Sequence, residues 1–489
     1  MAAWKLKDKN LLRQQCYIGG KWCDADNGET IKITNPSTRR TIGTVPRMGA
    51  EETRRAIEAA DNAFHAWRDR TAQDRCRIVR KWFELIMEHQ EDLAVIMTTE
   101  QGKPMSESRG EIAYGASFVE WFSEEGKRVY GDIIPQHQAD KRIVVIKQPV
   151  GVCAAITPWN FPSSMITRKA APALAAGCAM VVKPASYTPY SALALAELAD
   201  RAGFPPGLFS VITGASGSIG GEMTSNSTVR KLTFTGSTEI GKLLMKQSAD
   251  TVKKISLELG GNAPFIVFGD ADLDAAIEGA MASKYRNSGQ TCVCTNRFLV
   301  AEEVYDAFAQ KLSRAVRKLK VGDGLKGDVQ QGPLIDMNAV LKVEEQIQDV
   351  VSKGGKITLG GKRHKLGGTF FQPTILSDVT ADMLIAREET FGPVAPLFRF
   401  GTENEAIQMA NDTQYGLAAY FYTRDNARVW RVAERLECGM VGINTGLIST
   451  TIAPFGGYKE SGIGREGSKF GIDEYLEVKY MCVGAVTAE

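Results

Sequence analysis

The sequence predicts an α/β fold in which a doubly wound parallel sheet is followed by a second α/β domain. Short strands alternate with helical segments from residue 151 onward, and a second alternating region begins near Asn262. That order is typical of parallel sheets covered by helices on both faces. The length of 489 residues exceeds what one hydrophobic core usually supports, so two or three domains are expected.

Before the alternating regions, the chain is predicted to be helical and then to form a hairpin. Apolar residues recur at helical spacing over 51–65, 74–98 and 106–130. In GDIIPQHQADKRIVVIKQPVGV (131–152), β-branched residues flank a polar turn, which indicates a β-hairpin. EYLEVKYMCVG (474–484) indicates a late strand that pairs with this hairpin or with a neighbouring subunit.

The strands of the two regions can be placed in order. In the first region they are GVCAAIT (151–157), AMVVKPA (179–185), LFSVITG (208–214) and KLTFTG (231–236). In the second they are APFIVF (263–268), RFLVAEEV (297–304) and ITLGG (357–361). Helical stretches such as 191–203 and 271–287 separate them, and the domain boundary is predicted at 258–262.

Composition and charge exclude several classes of function. Fifty-nine basic and 57 acidic residues leave a net charge of +2, which favours neither nucleic acid nor an anionic membrane. The longest apolar stretch, 170–182, is too short to span a membrane, and MAAWKLKDKNLLRQQC has no secretory signal. Nine scattered cysteines and only four histidines predict a cytoplasmic protein without a metal site.

FTGSTEIGKLL (234–244) is a glycine-rich turn between a predicted strand and a predicted helix. Gly236, Gly241 and Lys242 match a P-loop, but Leu243 stands where Mg²⁺ binding needs Ser or Thr. Amides at the helix N-terminus could instead meet a pyrophosphate. A turn without any ligand is an equally open interpretation of this segment alone.

VVKPAS (181–186) ends an earlier strand and offers a positive charge. In dinucleotide-binding folds an acidic residue at a strand end holds the ribose, whereas a basic residue accommodates a 2′-phosphate. Lys183 provides that charge and Ser186 is small and neutral. A surface lysine with no ligand is the alternative.

SLELGGNAP (256–264) and RNSGQTCVC (286–294) supply a carboxylate and a thiol. Cys292 lies in a Gly/Ser/Thr loop whose amides can face its sulfur, so it is a candidate nucleophile. Glu258 could activate a water molecule in a later step. Zinc binding by Cys292 and Cys294 is not expected, because no further ligands lie nearby in the sequence. The alternative to a nucleophile is a buried structural thiol.

Seven motifs together resemble the aldehyde dehydrogenase superfamily over nearly the whole chain. They are TPWNFP (157–162), KPAS (183–186), FTGSTEIG (234–241), LELGGNAP (257–264), GQTC (289–292), EETFGPV (388–394) and PFGGYKESGIGREG (454–467). LLRQQCYIGGKW, SSMITRKAAPALAAGC, YRNSGQTCVCTNRF, NTGLIST and GREGSKFGIDEYLEVKYMC are similar to the succinate-semialdehyde dehydrogenases within it.

The resemblance implies a three-part subunit. A Rossmann-like NAD(P)-binding domain would comprise 1–130 and 153–258, and the catalytic domain would comprise 259–469. Residues 131–152 and 470–489 would form a β-hairpin arm that joins subunits into a homotetramer, as a dimer of dimers.

The resemblance also implies a role for each site residue. Cys292 would attack the aldehyde, Asn160 and the Cys292 amide would hold the oxyanion, and Glu258 would activate water. The implied cofactor-binding residues are Trp159, Asn160, Lys183, Ser186, Gly236, Ser237, Leu259 and Glu389. Because NAD-preferring relatives often carry Glu at the position of Ser186, NADP is expected, with NAD as the weaker alternative.

Arg168, Arg286 and Ser449 are the expected ligands of a distal carboxylate on the substrate. Arginine suits bidentate binding of a carboxylate, and both arginines flank catalytic motifs. Succinate semialdehyde is therefore the expected substrate, and glutarate semialdehyde is the alternative. A different alternative is an inactive NADP-binding or redox-sensing protein, in which Cys294 is the partner of an oxidised Cys292.

Overall fold

The computed structural model describes residues 5–486, so the predictions for residues 1–4 and 487–489 lie outside the described residues. The α-helices are α1 (Ala50–Arg68), α2 (Ala72–Glu88), α3 (Gln90–Gln101), α4 (Met105–Glu125), α5 (Ser164–Ala176), α6 (Pro189–Ala202), α7 (Ser216–Ser225), α8 (Thr238–Ser248), α9 (Leu273–Lys284), α10 (Tyr305–Val316), α11 (Met337–Ser352), α12 (Leu384–Arg387), α13 (Glu403–Asn411), α14 (Asn426–Arg435) and α15 (Phe470–Asp473).

The strands fall mainly into two large sheets and the arm. They are β1 (Cys16–Ile18), β2 (Lys21–Cys23), β3 (Thr30–Thr34), β4 (Thr41–Pro46), β5 (Asp132–Ile134), β6 (Arg142–Pro149), β7 (Val152–Ile156), β8 (Ala179–Lys183), β9 (Phe209–Val211), β10 (Val229–Thr235), β11 (Lys254–Glu258), β12 (Ala263–Val267), β13 (Thr295–Ala301), β14 (Lys356–Leu359), β15 (Thr374–Ser377), β16 (Val394–Phe400), β17 (Tyr415–Gly416), β18 (Ala418–Tyr422), β19 (Met440–Ile443), β20 (Tyr458–Lys459), β21 (Gly462–Ile463) and β22 (Leu476–Val483).

The first sheet has the order β2-β1-β9-β8-β7-β10-β11-β21. Its five central strands, β9-β8-β7-β10-β11, are parallel, and β7 and β10 are neighbours. The chain therefore builds outward from β7 in one direction and then returns to continue from β10 in the other. This is the predicted doubly wound topology, and ligands of such sheets bind where the strand order reverses. The loops after β7 and β10 lie at that crevice.

The second sheet has the order β14-β15-β16-β13-β12-β18-β19, parallel except for β14. The chain leaves the first sheet at Glu258 and enters the second at Ala263. The sheets therefore change within the predicted boundary segment, 258–262. The short strand β21 returns to the first sheet and pairs antiparallel with β11, so the segment predicted as catalytic domain contributes to both sheets. The domain limits themselves remain a prediction.

The predicted hairpin is confirmed. β5 and β6 are antiparallel, and β22 pairs with β6 over eight residues, from Leu476 opposite Pro149 to Val483 opposite Arg142. Val152 belongs to β7 of the first sheet, so the hairpin pairing ends before the predicted limit. The apolar side chains of Val478 and Tyr480 are exposed on β22.

One predicted helix is wrong in its extent. The segment 74–98 forms two helices, because His89 between α2 and α3 has a non-helical backbone with φ −100° and ψ 17°. Within residues 5–486, no helix is both long and apolar enough to cross a membrane. The same part of the chain contains no cluster of three or more His, Cys, Asp or Glu side chains arranged to hold a metal ion.

Candidate active site

The turn between β10 and α8 lies at the crevice, as predicted from its glycines. A Cβ on Gly236 would lie 2.4 Å from the Phe234 ring, so a larger residue there would displace that ring. Ser237 is the N-cap of α8 and its hydroxyl accepts from the amide of Ile240 at 3.5 Å. A Cβ on Gly241 would lie 2.4 Å from Leu259, so glycine also lets α8 approach the sheet closely.

Lys183 is the last residue of β8, which is separated from β10 by β7, and Ser186 lies in the loop that follows it. Lys183 is buried and its ammonium donates to the Pro184 carbonyl at 3.3 Å. Among the described residues it forms no ion pair, and burial lowers its pKa to about 8. Ser186 is half-buried. A buried cation without a carboxylate partner suits an anionic ligand such as a phosphate.

Glu258 is the last residue of β11 and is buried among charged groups. Its carbonyl accepts from the Gly236 amide at 3.1 Å, which fixes it beside the β10–α8 turn. Burial raises the pKa of its carboxyl well above the usual value of 4.5, and the nearby Glu466 adds to this. Arg168 and Lys169 act in the opposite direction. Its Oε2 has no hydrogen-bond partner among the described residues.

Cys292 lies on a loop with an unusual backbone. Asn287, Ser288 and Gly289 all have positive φ, at 50°, 57° and 76°, so the chain turns sharply before the thiol. A Cβ on Gly261 would lie 2.5 Å from the Cys292 carbonyl. The thiol is half-buried. Burial raises its pKa to about 12, although Arg168 opposes that shift.

Asn160 is buried beside this loop. Its side-chain Nδ2 donates to the Gln290 carbonyl at 3.1 Å, two residues before the thiol. The amide group carries two donors, so one N–H remains for a ligand. The position of Asn160 therefore agrees with a role as an oxyanion donor next to Cys292.

Two cavities meet at the Cys292 thiol. The first, here called the cofactor cleft, is lined by Trp159, Asn160, Gly236, Ser237, Leu259, Glu389 and Cys292. The second, here called the acid pocket, is lined by Tyr114, Arg168, Arg286, Ser449, Phe455 and Cys292. Cys292 and Met165 belong to both walls. A thiol at this junction can meet a reactant from each side.

Glu389 contributes a carboxylate to the cofactor cleft. Its Oε1 accepts from the Gly261 amide at 3.3 Å. Burial raises its pKa to about 7, which the Gly261 hydrogen bond opposes. Its remaining acceptor sites suit hydroxyl groups such as those of a ribose.

Arg168 and Arg286 line the acid pocket, but their surroundings differ. Arg168 is 1% exposed, forms an ion pair with Glu466, and lies over the Phe455 ring at 4.3 Å. Its Nη2 has no hydrogen-bond partner among the described residues. Arg286 is half-buried over the Phe161 ring at 5.4 Å and forms no ion pair within residues 5–486.

Cys294 lies outside the walls of both cavities. It is buried, and its thiol donates to the Lys284 carbonyl at 3.4 Å. Burial raises the pKa of this thiol. A buried, protonated thiol is a poor partner for an oxidised nucleophile, and the redox role of Cys294 remains a prediction.

Sequence reasoning missed two groups of residues at the site. Glu466 and Lys169 form a buried ion pair beside Arg168 and Glu258, although Glu466 stands in the quoted motif 454–467. Tyr114 on α4 lines the acid pocket. It lies far from every motif in the sequence, so only the fold brings it to the site.

The chain belongs to the aldehyde dehydrogenase family, whose model matches residues 22–481. The predicted family, fold class and class of enzyme are thereby confirmed, and a nicotinamide dinucleotide, NAD or NADP, goes with that family.

Individual relatives are close over their full length. A glutarate-semialdehyde dehydrogenase of Pseudomonas aeruginosa is 68% identical over 99% of this chain and 100% of its own. The NADP(+) succinate-semialdehyde dehydrogenase of Escherichia coli is 66% identical over 98% of this chain and 100% of its own. The crystal structure of a succinate-semialdehyde dehydrogenase from Burkholderia pseudomallei has a TM-score of 0.98 and 64% identity, covering 98% of this chain and 100% of that one.

Proposed function

We propose that this protein oxidises succinate semialdehyde to succinate with NADP. The observation that supports it is the acid pocket, in which two arginines and Ser449 lie beyond the Cys292 thiol. Arg286 has no carboxylate partner within residues 5–486, and Arg168 has an unpaired buried Nη2. A desolvated cationic pocket of this kind suits the distal carboxylate of an acid-aldehyde.

The cofactor cleft fits a dinucleotide. Amides at the N-terminus of α8 would receive the pyrophosphate, and Glu389 would hold the nicotinamide ribose. Lys183 would meet the adenosine 2′-phosphate, because it is buried without a carboxylate and Ser186 leaves room beside it. Trp159, Asn160, Gly236, Ser237 and Leu259 would line the remaining wall. The cofactor supplies a hydride acceptor.

The chemistry of the chain's own groups follows from the junction of the two cavities. The Cys292 thiol would lose its proton to water and attack the aldehyde carbon as the thiolate, and the oxyanion of the thiohemiacetal would be held by the Asn160 amide and the Cys292 N–H. After oxidation to the thioester, Glu258 would take a proton from the attacking water. The raised pKa of Glu258 makes its carboxylate a stronger base than an ordinary glutamate.

Glutarate semialdehyde is the second candidate substrate. The Pseudomonas aeruginosa relative is named for it, and the acid pocket has the chemistry that both acid-aldehydes require. The two substrates differ by one methylene, which a pocket distinguishes by only about 1–3 kcal/mol. Activity on both is therefore expected, with one preferred.

We also propose the predicted domain limits and a homotetrameric assembly in the cytoplasm. The exposed apolar side chains of the arm, including Val478 and Tyr480, support its use as a contact between subunits. Sedimentation of the full chain would test the assembly. A monomer at micromolar concentration would contradict it.

Initial rates on a small aldehyde panel test the proposed function. Succinate semialdehyde, glutarate semialdehyde, butanal and pentanal would each be assayed with NADP and with NAD. We expect kcat/KM for the acid-aldehydes to exceed that of the neutral aldehydes of matched length, and NADP to exceed NAD. Equal kcat/KM values for butanal and succinate semialdehyde would contradict the assigned substrate class.

A further inference from the structure

A buried ion pair between α3 and α4 reaches the back of the site. Lys103, just after α3, donates to the carboxylate of Glu111 on α4 at 2.5 Å, and both side chains are 1% exposed. The ammonium also lies over the Phe161 ring at 4.0 Å. Neither residue lines the cofactor cleft or the acid pocket, so the chemistry described above does not use them.

The pair holds both ends of the turn that carries Asn160. The Lys103 ammonium donates to the Asn160 carbonyl at 2.7 Å. The Glu111 carboxylate accepts from the amides of Ser163 and Ser164 at 3.0 and 3.2 Å. These charge-assisted hydrogen bonds fix the backbone from which the Asn160 side chain reaches the Cys292 loop at Gln290.

The same region holds the nucleophile loop. The Asn287 side chain donates to the Asn160 carbonyl at 3.1 Å. This carbonyl therefore accepts hydrogen bonds from both Lys103 and Asn287. Gln101 donates to the Asn287 side chain at 2.9 Å, and the Asn287 amide donates to Glu107 at 2.8 Å. Because Asn287 has a positive φ, these contacts maintain a backbone that is otherwise unfavourable.

We propose that Lys103 and Glu111 are positioning residues that set the Asn160 amide against the Cys292 thiol. A buried ion pair is a weak source of stability, since apolar residues of similar volume often serve as well. Its hydrogen bonds, however, place groups at fixed positions, and a displacement of about 1 Å can cost roughly 10²-fold in rate. The inference rests on the proposed role of Asn160 and does not depend on the acid pocket.

The test uses the full-length enzyme with butanal, whose oxidation needs no carboxylate binding. Lys103→Met is expected to lower kcat about 10- to 100-fold, with KM for butanal and Kd for NADP changed less than about threefold. Butanal rather than succinate semialdehyde is the test substrate, because the Phe161 ring under the Lys103 ammonium also lines the acid pocket. Arg109→Met is the matched control and should keep normal kcat, because it removes an exposed ion pair between Arg109 on α4 and Glu91 on α3.

A double-mutant cycle separates positioning from general loss of structure. If Lys103 acts through Asn160, Lys103→Met should change kcat less than about threefold in the Asn160→Ala background. Multiplicative losses, or normal kcat in Asn160→Ala itself, would overturn the proposal. Where Lys103→Met does not fold, Lys103→Met with Glu111→Gln removes both charges together and enters the same cycle. Failure of the substrate assignment would appear instead in the aldehyde panel, with wild-type enzyme.

Discussion

The cofactor cleft and the acid pocket meet at one thiol but are built differently. The cofactor cleft is lined in large part by the loops that follow the parallel strands β7, β10 and β11, with Asn160, Gly236 and Leu259 among its residues. The acid pocket is made of side chains, above all Arg168, Arg286 and Ser449. A doubly wound sheet therefore supplies a general nucleotide site at its strand ends, whereas the choice of aldehyde depends on a few exchangeable side chains.

The two arginines of the acid pocket differ in their ion pairs. Arg168 forms an ion pair with Glu466, which also affects the carboxyl of Glu258. Arg286 forms no ion pair in the described part of the chain. Arg286 is therefore free to bind substrate, whereas Arg168 also balances the charge around the general base.

The largest effect is expected from removal of the Cys292 thiol, which lies where the two cavities meet. Cys292→Ala should lower kcat by about 10³-fold or more and abolish any burst of NADPH, because no covalent adduct can form. Glu258→Gln is the matched variant: the burst should survive while turnover falls about 10²–10⁴-fold. Stopped-flow absorbance of the NADPH formed measures the burst and the turnover of both variants. Near-normal turnover in Cys292→Ala would contradict the assigned nucleophile.

The next largest effect is expected from loss of carboxylate binding in the acid pocket. Arg286→Ala leaves a desolvated carboxylate without its partner, which typically costs about 2–5 kcal/mol, or roughly 30-fold to several thousand-fold in kcat/KM. Initial rates should show a fall of this size in kcat/KM for succinate semialdehyde and little change in kcat/KM for butanal.

Arg168→Ala is the control for that variant. It should reduce oxidation of both aldehydes, since Glu466 loses a partner close to Glu258. A loss confined to the acid-aldehyde in Arg168→Ala would show that the two arginines act alike.

A smaller effect should change the choice of cofactor alone. Ser186→Glu places a carboxylate three residues after Lys183, where the 2′-phosphate is expected, and the two negative groups repel each other. The kcat/KM for NADP should fall about 10- to 100-fold and that for NAD should hold or rise, with aldehyde selectivity unchanged. Steady-state kinetics with each cofactor measures this, and Ser186→Ala is the control. An unchanged NADP/NAD ratio would place the phosphate elsewhere.

The smallest effect concerns pH. Burial and Glu466 raise the pKa of Glu258, so its basic form is depleted as pH falls. Hydrolysis of the thioester should therefore slow about tenfold per pH unit below that raised pKa and should reach its plateau at higher pH than an ordinary glutamate allows. Single-turnover deacylation across pH measures it, and Glu258→Gln should lack this limb. A flat profile in the wild type would exclude Glu258 as the base.

Most of the fold and much of the site could be predicted from the sequence. Periodicity gave the strands and helices, although the break at His89 was missed because residues 74–98 keep their apolar spacing across it. Motifs led to Cys292, Asn160 and Glu389, which line one cleft, and to Glu258, whose carbonyl accepts from Gly236 of that cleft. Tyr114, Lys103 and Glu111 could not be found, because their relation to the site depends on how α3 and α4 pack against the turn after β7.

The doubly wound order of the strands, the glycine-rich turns and the nucleophilic thiol could be predicted from local sequence patterns. These features depend on local preferences: the spacing of apolar residues, glycine where a Cβ would collide with its surroundings, and a cysteine in a loop rich in small residues. How the charged groups pair in space depends on the packing of the whole chain. Arg168 and Arg286 are the same residue type, yet Arg168 forms an ion pair with Glu466 from a segment nearly 300 residues away. Arg286 forms no ion pair in the described chain, although its charge opposes the rise that burial causes in the pKa of the nearby Glu107. In a buried site the nearest opposite charge decides whether a cation is free to bind a ligand, and that distance is set by packing.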